Sequence, residues 1–235
     1  MKKTFLISLF VSFSLFLRAE VGYLGAGWNF SSGSFKNFNY VIDRYNETRD
    51  YLNDDMDKLH YNGGITIDFG VMMPYFQGGF GLQWNRAKMQ ATGVVNDIEF
   101  QRDLWFRSFN FPLELGIALG EEGIVTIPGI GLNFMFWHYL TRAAEKNDIE
   151  DEEFIESDTD VGMQIKFYTK FVFGGIEDAG FGLVLEPFYN LGFLGCDMTN
   201  MNQILNPNTY YDDPIKQEKF SNYGVRLMAL YKFGG

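Results

Sequence analysis

An all-β fold, an antiparallel up-and-down transmembrane β-barrel of about eight strands, is what three features of this 235-residue chain predict. The last segment, 223–233, alternates strictly. Tyr223, Val225, Leu227, Ala229, Tyr231 and Phe233 share one face, while Gly224, Arg226, Met228, Leu230 and Lys232 share the other. Lipid outside and a polar lumen inside produce that pattern. The second feature is an N-terminus that reads as an export address. The third is a run of strand candidates whose connections alternate between short and long, the habit of barrels with short periplasmic turns and longer extracellular loops.

The N-terminus divides the chain into a signal peptide, 1–19, and a barrel domain, 20–235. Lys2 and Lys3 are basic, 4–17 is apolar, and Leu17-Arg18-Ala19 offers a cleavage site. The apolar run is shorter than the roughly 20 residues of a helical span. No cysteine near the cleavage site suggests a lipid anchor, and Cys196, the one cysteine, excludes an internal disulfide. Without the signal the chain carries 16 basic and 30 acidic residues, a net charge of −14. Nucleic acid, which demands clustered Lys and Arg, is excluded as a partner. The 26 glycines exceed the average of about 7%, and the 25 phenylalanines suit apolar strand faces.

In order, the strands are expected at 21–30, 64–72, 76–90, 99–119, 124–141, 160–173, 181–195 and 223–233. Met73-Pro74-Tyr75, Gly120-Glu121-Glu122-Gly123 and 174–179 are short connections; 94–97 reads as a medium loop; 31–61, 142–158 and 196–218 are long. Within the first long loop Ile42, Tyr45, Leu52, Met56 and Leu59 recur at roughly helical spacing, which leaves a short amphipathic helix over 40–60 and an irregular loop both open. Pro112, Pro128 and Pro187 fall inside strands, where each removes a ladder donor. They imply bulges or shifted boundaries.

Parity then assigns side chains to faces. On the fourth strand Phe109, Phe111, Leu113, Leu115, Ile117 and Leu119 form an outward band, long enough for the roughly 9–11 residues of a tilted membrane strand. An aromatic girdle is expected from Trp28, Trp84 and Trp105 at one rim and Tyr75, Phe76, Phe173, Phe181, Tyr231 and Phe233 at the other, with Trp137 on the lumen side. The inward face is mostly uncharged. Its exceptions are Asp68, Glu114 and Glu186 against Lys166, Lys170 and Arg226, all near mid-strand. A buried ion network that plugs the lumen is the expectation, because about eight strands enclose only enough room for side chains.

The signal, strand rhythm, loop asymmetry and terminal Tyr231-Lys232-Phe233 together resemble the small outer-membrane β-barrel proteins of the OmpA/OmpX type, across the mature chain. Phe233 departs from that pattern in being followed by Gly234 and Gly235. The resemblance implies a monomer in the bacterial outer membrane, in contact with its lipid and lipopolysaccharide and acting through extracellular loops.

Chemistry is sparse. His138, in Phe136-Trp137-His138-Tyr139, faces outward by parity, has no adjacent serine and reads as an interface residue; His60 lies in the first loop. No catalytic, cofactor or metal-ligating residue is assigned. The segment 145–160 holds nine acidic residues against Lys146 without the spacing of a calcium loop, and its one metal reading is loose divalent-cation bridging to lipopolysaccharide. The expected function is a structural, adhesive or partner-binding barrel. Alternatives are transport of a small apolar ligand past Phe106, Met135 and Phe188, an accessory barrel of a secretion or assembly system, and, last, a lipid A-modifying enzyme.

Overall fold

The structure, a computed structural model, describes residues 21–120, 122–157, 159–174, 179–207 and 217–234. The expected signal peptide, 1–19, lies outside the described residues, as do Glu121 and Asp158. The elements in chain order are β1 (Val21–Gly33), α1 (Lys36–Glu47), β2 (Leu52–Asp54), β3 (Tyr61–Met73), β4 (Phe76–Val95), β5 (Ile98–Gly116), β6 (Ile124–Glu145), β7 (Ile155–Glu156), β8 (Asp160–Phe173), β9 (Gly180–Leu194), α2 (Thr199–Leu205) and β10 (Asn222–Phe233).

Eight strands of 12 to 22 residues are the staves, and β2 and β7 are short flaps on β4 and β6. Each stave pairs antiparallel with the next. The ring closes where β1 meets β10, from Gly22 opposite Phe233 to Gly33 opposite Asn222. No stave is left with a free edge, which removes the template for edge-to-edge aggregation.

The turns explain the register. At one rim Met73 pairs with Phe76 around Pro74 and Tyr75, and Tyr75 takes a φ of 69°. Proline followed by a left-handed residue is the type II arrangement, here with tyrosine where glycine is usual. At the opposite rim Val95 pairs with Ile98, and Asn96 and Asp97 sit at φ 51° and 65°. Two consecutive left-handed residues make a type I′ hairpin, so the medium loop expected over 94–97 does not exist. β4 and β5 instead continue upward and meet at a tight tip.

The prolines produce no bulge. Pairs on either side of Pro112, Phe80 with Leu113 and Gln83 with Asn110, keep one register, as do Tyr168 with Phe188 and Phe171 with Leu185 around Pro187. The ladder skips the missing donors without inserting a residue. Pro128 sits where the β5–β6 ladder ends, and its carbonyl accepts the Ile117 N–H at 3.0 Å. A bulge does occur between Met163 and Gln164 of β8, opposite Phe193, which no proline marks.

The first long loop is helical earlier and more briefly than its spacing suggests. α1 buries Phe38, Val41, Ile42 and Tyr45, while Leu52 lies in β2 and Met56 and Leu59 in irregular chain. Those last two are nonetheless buried, because α1 brackets them. Asn39 accepts the Leu59 N–H and donates to its carbonyl at 2.8 and 3.0 Å, and Asn46 does the same to Met56 at 2.9 and 3.1 Å.

Candidate functional site: a sealed lumen and a cationic outer groove

Four layers fill the barrel. Nearest the short-turn rim, Tyr23, Met72, Ala118, Val125, Ile127, Val172, Val184, Met228 and Leu230 form an apolar plug. Above its centre Gln77 joins two phenols, donating to Tyr23 Oη at 2.7 Å and accepting from Tyr168 Oη at 3.0 Å.

The second layer is ionic. Arg226 donates from Nε to Glu186 at 2.8 Å, from Nη1 to Asp68 at 3.0 Å and from Nη2 to Glu114 at 2.6 Å, with a further short contact from Nη2 to Glu186. Lys166 lies 2.5 Å from Glu114 and 2.6 Å from Glu186; Lys170 lies 2.6 Å from Glu114 and 3.8 Å from Asp68. The structure thus brings all six inward-facing charges into one network, and each residue is at most 3% exposed. Space for it comes from small neighbours: a Cβ at Gly81, which pairs with Asp68 across β3 and β4, would lie 2.6 Å from the Asp68 carboxylate.

Among the described residues, Asp68, Glu114 and Glu186 are also the one trio of carboxylates close enough to grip a metal ion. Three cations already occupy their oxygens. Chemically the layer is a neutralised salt cage, and no three carboxylates of the described part of 145–160 converge in the same way.

The third layer is made of amides. Asn29, Gln83, Asn85, Asn110, Asn190 and Asn222 surround a void of about 10 Å³, room for about one water. The fourth layer is an aromatic lid. Phe38 of α1, Phe106 of β5, Trp137 of β6 and Phe220 converge with ring centroids 5.2 to 6.3 Å apart, and Met135 and the α2 residues Met201 and Leu205 pack with them. Phe106 and Met135, two of the residues expected to greet an apolar ligand, are therefore filled by the chain's own lid. The third, Phe188, lines the amide void and lies under Lys166.

Glu218 secures the lid, and the sequence carries no local sign of it. Its carboxylate accepts the N–H groups of Asn37 and Phe38 at 2.8 and 3.3 Å, capping α1 from 180 residues away, where Phe35 at the N-cap contributes no side-chain bond. Arg49 ties α1 to α2 through the Leu205 carbonyl at 2.7 Å. Beneath the lid Cys196 is fully buried, and burial, with Asp160 nearby, pushes its thiol up to about 12.

The outer wall is apolar. Leu113, Leu115, Ile130, Phe167, Leu183, Leu227 and Tyr231 are all more than two-fifths exposed there. Of the girdle residues Trp28, Trp84, Tyr75, Phe76, Phe173, Phe181, Tyr231 and Phe233 are exposed, whereas Trp105 is half-buried under Lys88. Near the long-loop rim the outward residues fall in cross-strand rows. Trp28, Ile65, Trp84, Phe109 and Phe136 make one; Phe30, Gly63, Arg86, Arg107 and His138 make the next. A groove of about 790 Å³ runs between these rows, and His138 within it lies 3.4 Å from Glu156 of β7.

A closed antiparallel ring with an apolar exterior and an ionic interior defines a transmembrane β-barrel, since closure pairs each strand with two neighbours within the wall. No protein-family model matches the chain, and no curated protein matches it. Among solved structures it is similar to the outer membrane protein OprG of Pseudomonas aeruginosa, at 12% identity and a TM-score of 0.47 over 92% of this chain and 97% of that one. It is also similar to Ail, the attachment invasion locus protein of Yersinia pestis, at 8% identity and a TM-score of 0.42 over 92% and 99% of the two chains. A second Ail structure, in complex with the heparin analogue sucrose octasulfate, gives 9% identity and a TM-score of 0.44 over 91% and 98%. The likeness is one of fold.

Proposed function

We propose that the chain is exported on its first 19 residues and acts as a sealed barrel of the bacterial outer membrane, with an adhesive or partner-binding role at its long-loop rim. The filled lumen carries this reading. An open pore needs a continuous polar path, and here a salt cage is backed by an apolar plug on one side and an aromatic lid on the other. Strand length supplies the surface: β4, β5 and β6 have 20, 19 and 22 residues, about twice the roughly 9–11 that cross a bilayer. The surplus stands beyond the membrane as a stiff three-stranded platform edged by the acidic segment 145–160. His138 and Glu156 alone do not make an enzyme, which would need a nucleophile activated by that imidazole.

The test is conductance. Mature protein reconstituted in planar bilayers should give no stepwise currents, while fractionation should place it in the outer membrane with a gel mobility that shifts on boiling. Steady single-channel steps from the unaltered protein would overturn the sealed-barrel reading.

A further inference from the structure

Arg86 and Arg107 are direct cross-strand partners on the outer wall of β4 and β5. Like charges facing each other across a ladder repel, and a pair left this way is destabilising unless an anion lies between them. Neighbouring basic side chains on this wall have found carboxylates: Lys88 and Arg142 reach Asp103 at 3.1 and 3.3 Å, and His138 lies 3.4 Å from Glu156. Among the described residues, Arg86 and Arg107 have none. Both are exposed on a chain whose net charge is −11, so this cationic spot is local and runs against the overall charge.

The groove they border has two chemistries in a fixed order. Trp84, Phe109 and Phe136, with ring centroids 5.3 and 6.4 Å apart, form its apolar side toward the membrane, and the arginines lie one row further from it. Successive same-face residues are about 7 Å apart along a strand. Gly63 leaves an opening in the arginine row between Phe30 and Arg86, where any larger residue would stand. Acyl chain against the rings and a phosphate at the guanidinium forks is the arrangement that satisfies both rows, since arginine binds phosphate through paired N–H donors.

We infer that Arg86 and Arg107 form a headgroup site for a phosphorylated glycolipid of the outer leaflet, whose acyl chains lie along Trp84, Phe109 and Phe136. The inference rests on the outer-membrane reading and deepens it by naming a lipid ligand and its residues. The test is to fold the full mature chain in phosphatidylcholine vesicles, alone or with added diphosphoryl lipid A, dephosphorylated lipid A or inorganic phosphate. Diphosphoryl lipid A should raise the melting temperature by about 2–4 °C, because a ligand that binds the native state stabilises it. The dephosphorylated lipid and free phosphate should not, and R86Q/R107Q should abolish the rise while melting no lower than the unaltered protein in phosphatidylcholine, since it removes a like-charge pair. An equal rise with dephosphorylated lipid, with free phosphate or in the double variant would overturn the site. If R86Q/R107Q fails to fold, R107Q alone must reduce the rise for the proposal to stand. Conductance and fractionation are independent of these arms, so the site can fail while the sealed barrel survives.

Discussion

Replacing Arg226 with methionine removes the side chain that hydrogen-bonds all three lumen carboxylates, leaving Lys170, at 2.6 to 3.8 Å, to reach all of them. Asp68, Glu114 and Glu186 would then face Lys166 and Lys170 alone, and Asp68 would keep only the Thr66 hydroxyl at 3.2 Å and Lys170 at 3.8 Å. Breaking a buried network by taking one partner costs about 3–5 kcal/mol, because an uncompensated charge stays buried. With an m-value of about 1.5–3 kcal/mol/M, the urea midpoint of the protein in vesicles should fall by about 1–3 M. Tryptophan fluorescence reads the transition. Adding Asp68→Asn to Arg226→Met restores equal numbers of acids and bases, so the double variant should recover at least about 1 kcal/mol over the single one. Arg226→Lys should fall between, since an ammonium has no fork to span the carboxylates. If Arg226→Met costs under about 1 kcal/mol, or the double variant shows the plain sum of two losses, the network does not hold the barrel as its geometry implies.

The lid and the loop chemistry give further outcomes. Glu218→Ala should cost about 1–2 kcal/mol in the same urea titration by uncapping α1, and Glu218→Gln, which keeps an acceptor, should cost less. Phe220→Ala should cost about 3–5 kcal/mol through the cavity it leaves between Phe38, Phe106 and Trp137, yet bilayer conductance should stay at zero because the salt cage lies beneath. Cys196 should resist maleimide at pH 8 in the folded protein and react in urea. Its raised value means that the unfolded chain loses the thiol proton first, so stability should fall as pH climbs from about 9 toward 12.

Strand identity was legible because lipid and lumen impose opposite demands on alternate residues, and the period of two survives any error in strand ends. That is why Asp68, Glu114, Lys166, Lys170, Glu186 and Arg226 could be placed on one face before any distance was known. The lid was not legible in the same way. Met56 and Leu59 shared a helical spacing with Ile42 and Tyr45, but what buries them is a pair of asparagine brackets from α1, a tertiary arrangement without a periodic trace. Glu218 is harder still, since a cap contributed from 180 residues away looks in sequence like any loop acid.

The arginine groove failed to appear for a different reason, and a single turn accounts for it. Arg86 shares the parity of Trp84, and Arg107 that of Phe109, but facing residues are fixed by register, and register in a hairpin is fixed by its turn. Reading 94–97 as a medium loop left the two strands free to slide. Once Asn96 and Asp97 are a two-residue type I′ turn, Val95 must face Ile98, and residues equally far from the tip must face each other. Arg86 lies nine residues before Val95 and Arg107 nine after Ile98, so their apposition follows from the turn alone, as does that of Trp84 with Phe109 two residues lower. Asn-Asp is a weaker hairpin signal than Asn-Gly, because the second residue must accept a left-handed backbone that glycine takes freely. The local departure from the strongest turn sequence therefore hid a long-range juxtaposition of two like charges, and with it the feature of the outer wall that most requires an anionic partner.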